Sequence, residues 1–443
     1  MDYITIYDYL LLPVYLIAFY FLVVIKSKKY GQDSIRKYLI TGFWLHMGGS
    51  LLYCMIIQYY YGYGDSFGFY QGGNFIRNVI STTGDPFSPF FMSSDDFEKA
   101  YSIANVGDLT LPTGIDVDSN LTLMKLSALL SYISFNSYII ISLFFGLFSF
   151  AGLWRLYKTF NEILEKKSPY LLALGVLYVP SVCFYGSGLI KDSICLGAIG
   201  FIVYYMYRIF VQKKIKYREL VLLPIMIFLL FVVKSYIAIA LMASMAFTYV
   251  IYVFQKSRKS LLKLVVLGFV FIASATIMVL SLSSTITSII DNSKTNLESF
   301  EGAYQTLDED ENGSGFANSN NDISLSGIIL RSPSAALTTI FRPFVWEVTK
   351  PIMAFSALES LLALMATLYI LAKCRILNFF YYSFTDPYIL FPLAFSFILA
   401  LIIGLSTFNF GTLVRYRLPI LPFYFFVLLA VYIKNKEARL VTR

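Results

Sequence analysis

Histidine is nearly absent from this chain: His46 is the only one among 443 residues. A metal centre built on several imidazoles is therefore excluded. Cysteine is scarce too. Cys54, Cys183, Cys195 and Cys374 lie in or beside apolar runs, and no two are spaced as CxxC. That pattern fits buried thiols acting as small hydrophobes, with neither a disulfide framework nor a zinc site. The largest deficit is charge. Asp, Glu, Lys and Arg make up 14% of the residues and apolar types 58%, against about 25% and about 45–50% in soluble domains. Mean hydropathy is +0.68. A string of soluble domains is ruled out, and the composition is that of a polytopic membrane protein. The formal charge of +8 gives no reason to expect nucleic acid, because basic loops on one membrane face produce the same balance.

What the chain does have is long apolar runs. A membrane-spanning helix needs about 17–25 such residues. Runs of that kind predict an all-α protein with about eleven transmembrane helices, at 8–25, 38–60, 137–154, 169–187, 193–211, 219–233, 236–254, 262–283, 351–372, 387–406 and 418–433. The first run lacks a basic leader, and Asp2 and Asp8 flank its start, so it reads as a span and not as a cleaved signal. With the N-terminus outside, the segments 26–37, 155–168, 208–218, 255–263, 373–386 and 434–443 face the cytoplasm. They carry 24 of the 35 Lys and Arg, and only six of the 27 acids lie in or next to them. Basic short loops face inward in bacterial membranes, so this orientation is expected, with a cytoplasmic C-terminus. The whole chain then forms a single multi-span membrane domain. Two long extracytoplasmic loops follow at 61–122 and 284–350, the second holding a polar, low-complexity stretch at 307–322 that is expected to be mobile.

Eleven Lys and Arg escape the inward bias, and several sit at the outer ends of spans. Lys191 stands in GSGLIKDS beside Asp192, and Lys234 in VVKSY. Arg342 and Glu347 share FRPFVWE, and Arg415 and Arg417 share FGTLVRYRLPILP. A cation beside a span is costly and faces a polar cavity or a partner. Snorkelling, or neutralisation by an adjacent acid, explains any single one. Five on one face point to a shared anion, and arginine's planar fork suits phosphate. Lys191, at the start of a helix, adds its charge to the positive helix end. Asp192 either pairs with Lys191 or serves that helix end as an acid. Glu359, inside a span, calls for an internal partner.

The first outer segment opens YYYGYGDSFGFYQGGNFIRN. Asp65 follows span two closely, with Gly62, Gly64, Gly68, Gly72 and Gly73 around it, so a sharply turning backbone is expected there. Its carboxylate is placed to accept a proton from a hydroxyl; the plainer reading is an Asx turn among interfacial aromatics. Tyr70 and Arg77 are candidate acceptor-binding or supporting residues, together with Asp192 and Glu347. A short interfacial helix is expected over 72–80.

The layout of GDSFGFY (64–70), PSVCFYGSGLIKDS (180–193), FRPFVWE (341–347) and FGTLVRYRLPILP (410–422) resembles that of GT-C superfamily membrane glycosyltransferases and of Wzy-type cell-surface polysaccharide polymerases. The resemblance implies transfer from a polyprenyl-(pyro)phosphate-linked sugar at the outer face of the bacterial inner membrane. Membrane lipid is the surrounding partner; no cofactor is expected, and no metal-ligating residues are assigned. It implies Asp65 as the catalytic acid-loop residue and Arg415 and Arg417 as holders of lipid-linked phosphate, joined by Arg342, Lys191 and Lys234. Two features depart from the GT-C pattern: an additional span precedes the acidic loop, and no second acid stands beside Asp65. A flippase for lipid-linked oligosaccharide, or a non-catalytic subunit of an envelope assembly, is the alternative. A flippase calls for charges along the whole path, whereas the cations here gather at the outer ends. By the inward bias, reporter fusions at residues 160, 213 and 258 should read cytoplasmic, and fusions at 110 and 310 extracytoplasmic. Reversal at 213 or 258 would overturn the orientation.

Overall fold

The computed structural model describes residues 3–30, 35–102, 112–256, 325–349, 351–407 and 409–441. Every element among them is helical. Seven helices are long and apolar enough to cross a membrane, or eight if one bent pair is a single span. The expected span 262–283 and the stretch 307–322 lie outside the described residues. The chain divides into two compact units, residues 1–159 with 182–235, and 160–181 with 236–443.

The first unit holds α1 (Ile6–Lys28), α2 (Arg36–Ile56), α3 (Asp65–Thr83), α4 (Ser88–Phe91), α5 (Ser94–Ser102), α6 (Asp118–Ile133) and most of α7 (Tyr138–Ile163). It also takes the end of α9 (Pro180–Tyr185), then α10 (Lys191–Met206) and α11 (Tyr217–Val233). Asp8 fixes the start of α1. Its carboxylate accepts from the Thr5 N–H and hydroxyl, both at 2.8 Å, and from Ser137 Oγ at 2.5 Å. Ile6, Leu10, Val14, Ile17 and Phe21 recur at helical spacing on α1, and each is more than half exposed. An apolar stripe of that length left open needs lipid to cover it.

Small residues set the helix spacing. A Cβ on Gly152 of α7 would stand 2.1 Å from the Gly197 carbonyl oxygen of α10, and one on Gly200 would stand 2.1 Å from the Gly152 oxygen. Such close backbone approach is how helices pack where lipid removes the hydrophobic drive. Gly152→Leu is therefore expected to destabilise the first unit by about 1–3 kcal/mol or more, as overpacking does. The thermal melt of detergent-solubilised protein measures it, with Gly48→Leu as the neutral control, since a Cβ at Gly48 meets nothing within 4 Å.

The second unit holds α8 (Pro169–Val176), most of α12 (Ser235–Lys256), α13 (Leu325–Phe341), α14 (Pro351–Cys374), α15 (Ile376–Thr385), α16 (Pro387–Ser406), α17 (Phe410–Tyr416) and α18 (Ile420–Val441). α13 lies along α16: Gly404 meets Ala335, and the Thr339 hydroxyl donates to the Ala400 carbonyl at 2.8 Å. α18 packs on α16 through Phe423 against Phe395 at 4.6 Å, and on α8 through Phe425 against Gly175. Phe355, Leu358, Leu362, Met365 and Tyr369 make an exposed apolar stripe on α14, again suited to lipid.

Several expectations are corrected. The run 169–187, short for a span and so open to being tilted, broken or buried in protein, is broken into two short helices, α8 and α9. Pro180 disfavours helical geometry at the residue before it and opens a new helix. The last span begins at Ile420, and the bend of 62° between α17 and α18 falls at Leu418–Pro419. The segment 61–122 is no open loop: α3, α4, α5 and the start of α6 occupy its described part. The interfacial helix expected over 72–80 is the middle of the 19-residue α3. Of the five glycines around Asp65, only Gly62 and Gly64, with φ of 71° and 153°, adopt a positive φ. Gly72 and Gly73 instead face Met124 and Ser127 of α6, so their missing side chains serve helix packing. Part of the segment 284–350 is likewise helical, as α13.

Candidate functional site

In the first unit, α2 runs through a π turn (Ile57–Tyr61) to Gly62, and α3 starts at Asp65. The exposed Asp65 carboxylate thus stands at the positive end of a helix. The start of α3 is held by Ser66 Oγ, 2.8 Å from the Tyr138 hydroxyl, and by Phe67 stacked on Tyr3 at 4.2 Å. Tyr70 donates its hydroxyl to the Asn136 carbonyl at 2.8 Å, and the Arg77 guanidinium lies 5.6 Å over the Tyr132 ring. Both therefore tie α3 to α6 and the α6–α7 connection.

Lys191 opens α10, and its half-exposed ammonium donates to Ser119 Oγ of α6 at 2.8 Å. Asp65, Asp192 and Lys234 all lie within its electrostatic reach. Asp192 is buried, and its close partner is Lys234, at 2.5 Å, in the break between α11 and α12. Pairing with its sequence neighbour Lys191 was one of the two expected roles of Asp192. The helix turns them apart, since adjacent positions do not share a helix face. Ser193 Oγ donates to the Gly188 carbonyl at 2.6 Å and closes the GlySerGly turn. His46 is fully buried, with Nδ1 3.0 Å from Ser187 Oγ and Nε2 3.8 Å from Cys183 Sγ, which is a helix-packing arrangement.

In the second unit the stretches 341–347 and 410–417 meet. Arg417, at the corner between α17 and α18, is fully buried. Its Nη1 donates to the Arg342 carbonyl at 2.6 Å and to Ser360 Oγ at 2.8 Å, and its Nη2 donates to the Ser356 carbonyl at 3.4 Å and lies 3.5 Å from Glu359. Glu359 of α14 is the buried acid expected to need an internal partner. It accepts from the Ser181 N–H at 3.0 Å and from Ser181 Oγ at 2.8 Å. The Arg342 guanidinium is forked onto Glu347, with Nε at 2.9 and 3.1 Å from its two oxygens, and lies 5.0 Å over Phe410. Burial alone would raise the Glu347 carboxyl; the Arg342 guanidinium and the Phe344 N–H hold it below the ordinary glutamate value. Glu347 is thus ionised at neutral pH. Arg415, on the last turn of α17, is half-buried. Trp346, stacked on Phe344 at 4.8 Å, is 81% exposed.

The expected charged residues thus form two groups. Asp65, Lys191, Asp192 and Lys234 belong to the first unit, and Arg342, Glu347, Arg415 and Arg417 to the second. Ser119, Ser181, Ser356 and Ser360 were missed, because a serine beside a charge carries no signal on its own. The Ser356, Glu359, Ser360 spacing on one helix face was the available clue. Among the described residues, no three His, Cys, Asp or Glu side chains come together as a metal site would need. No family model, curated protein or solved structure matches the chain.

Proposed function

We propose that this helical membrane protein is a glycosyltransferase or polysaccharide polymerase that uses polyprenyl-(pyro)phosphate-linked sugars at the outer face of the cytoplasmic membrane. The observation that supports it is the corner of the first unit where Asp65, opening α3, lies within electrostatic reach of Lys191, opening α10. A carboxylate and a half-exposed ammonium at two helix starts supply the two things the reaction needs. The acceptor hydroxyl oxygen attacks the anomeric carbon, and Asp65 takes its proton. The bond from that carbon to the phosphate oxygen breaks, and Lys191 with the α10 N-terminus stabilises the charge left on the departing lipid phosphate. Lys234 stays paired with Asp192 and holds the start of α10 in place.

The other end of α10 carries the basic residues that the inward bias assigns to the cytoplasm. A helix of about 1.5 Å per residue spans the bilayer core in about 20 residues, so the same bias would leave the Asp65 end outside. In the second unit, Arg342 and Arg415 are the candidates for a lipid-phosphate contact, and Arg417 holds the turn that presents them.

The test is transfer by the purified protein in proteoliposomes supplied with a polyprenyl-diphosphate-linked oligosaccharide. Lys191→Gln is expected to lower product at least tenfold, in line with lost stabilisation of a leaving charge, with an unchanged thermal melt. A lysine role confined to holding Ser119 predicts the reverse: a lower melt and ordinary turnover. Absence of any transfer by the wild-type protein, with lipid-linked oligosaccharide moved across the bilayer instead, would favour the flippase.

A further inference from the structure

A second polar group of the first unit sits at the far end of α10 from Lys191. There α1, α7 and the π turn that continues α10 (Tyr207–Val211) gather Lys26, Arg155, Lys158 and Arg208, and Arg218 joins from the first turn of α11. Lys26 is within electrostatic reach of Arg155, Lys158 and Arg218. The inner cations are held in place. The Arg155 guanidinium lies 4.0 Å over the Phe201 ring and donates to the Ala151 carbonyl at 2.7 Å. The Lys158 ammonium lies 5.0 Å from the Tyr204 ring and 5.7 Å from the Tyr30 ring, and Trp154 Nε1 fixes Tyr30 through its hydroxyl at 3.1 Å. Arg208 faces the same Tyr204 ring at 5.6 Å, with its Nε 2.8 Å from the Glu219 carboxylate.

Among the described residues, Glu219 is the carboxylate ion-paired in this group, and it is buried against Arg208. Helix C-terminal dipoles account for Lys26 and Arg208. They do not account for Arg218, which stands at a helix N-terminus where the dipole opposes a cation. Nor do they explain why Arg155 and Lys158 are half-buried beside further cations. Like charges brought together this way call for an anion between them. The neighbouring surface says which kind: Leu22 and Ile25, one turn and one residue before Lys26, are 59% and 50% exposed, and continue the apolar stripe of α1.

We propose that this group binds the phosphodiester headgroup of an anionic membrane phospholipid, whose acyl chains lie along the exposed stripe of α1. Arg155 and Lys158 contact the phosphate from within the helix bundle, and Lys26 and Arg218 close over it from the rim. Basic pockets between membrane helices hold anionic headgroups in this manner.

The experiment uses the full chain in nanodiscs of phosphatidylcholine with and without phosphatidylglycerol, and native mass spectrometry reads the lipid retained after release. Wild-type protein is expected to retain phosphatidylglycerol at least about tenfold over phosphatidylcholine, since several basic residues meet one headgroup. The Arg155→Gln, Lys158→Gln pair should abolish that preference. Lys214→Gln with Lys216→Gln, which removes the same charge from exposed positions, should keep it. Should the first pair fail to fold, the exposed Lys26→Gln, Arg218→Gln pair replaces it, with a severalfold loss expected. Equal retention by the site variants and the Lys214, Lys216 control overturns the proposal. So does protection by inorganic phosphate, in detergent without phospholipid, that equals the protection given by phosphatidylglycerol, since the site would then take free phosphate.

Discussion

Asp65→Asn is expected to cut glycan transfer by about 10²–10⁴, the usual contribution of a positioned general base, while the protein stays folded. Asparagine keeps the size of the side chain and its hydrogen-bonding oxygen, but it cannot take a proton from the acceptor. Asp65 is exposed at the first residue of α3, so the carboxylate itself is not a buried charge. The loss of a negative charge at a helix start costs about 0.3–1 kcal/mol, a shift of a few degrees in melting at most. Donor retention should persist, because the phosphate is held by cations and not by Asp65. The measurement is turnover by the purified variant with its melt recorded alongside. Near-normal turnover would remove Asp65 from the reaction and leave it as a helix-start acid.

Arg417→Ala is expected to act on the fold first. The guanidinium is fully enclosed and serves two carbonyls, Ser360 Oγ and the Glu359 carboxylate at once. Removing one partner of a buried ion pair costs about 3–5 kcal/mol, because the other charge stays behind. In a protein of ordinary marginal stability that is a large share of the total. The yield of monodisperse protein after detergent extraction should fall sharply, and product should fall with it. Lysine should rescue poorly, since one ammonium cannot reach all the acceptors set for a planar fork. A variant with an unchanged melt but no product would instead return Arg417 to the substrate. Arg342, partly exposed and stacked on Phe410, is the better place to look for a phosphate contact that acts on turnover alone.

Much of the fold was legible because membrane helices obey a local rule. A run of apolar residues long enough to cross the bilayer must satisfy its own backbone hydrogen bonds, and only a helix does so within one segment. The runs at 8–25, 38–60, 193–211, 351–372 and 387–406 accordingly lie within helices of membrane length, and 137–154 does so from its second residue. The reading failed where the apolar pattern is mixed. α6 carries Lys125 and several serines, and α13 carries Pro333, so each looked like loop. Yet α6 packs against α3, and α13 along α16, where neighbouring helices take up the polar groups that lipid would not tolerate. Lys125 shows how: it donates to the Met92 carbonyl at 2.6 Å.

The candidate site divides along the same line. Which residues were out of place, namely Asp65, Lys191, Lys234, Arg342, Arg415 and Arg417, followed from composition alone, because a charge beside an apolar run is conspicuous whatever the fold. What each one does depended on contacts between distant segments. Asp192 has Lys191 as its sequence neighbour, yet it pairs with Lys234, 42 residues away, since only opposed faces of packed helices bring two buried charges within 2.5 Å. Arg415 and Arg417 are two residues apart and looked equivalent. The helix ends between them, and Arg417 falls into the interior of the corner while Arg415 stays on the last turn of α17. Amino-acid type determined that this chain lives in a membrane and carries misplaced cations; tertiary packing, which fixes distance and burial, decided which of those cations are enclosed in the framework and which remain partly open to solvent.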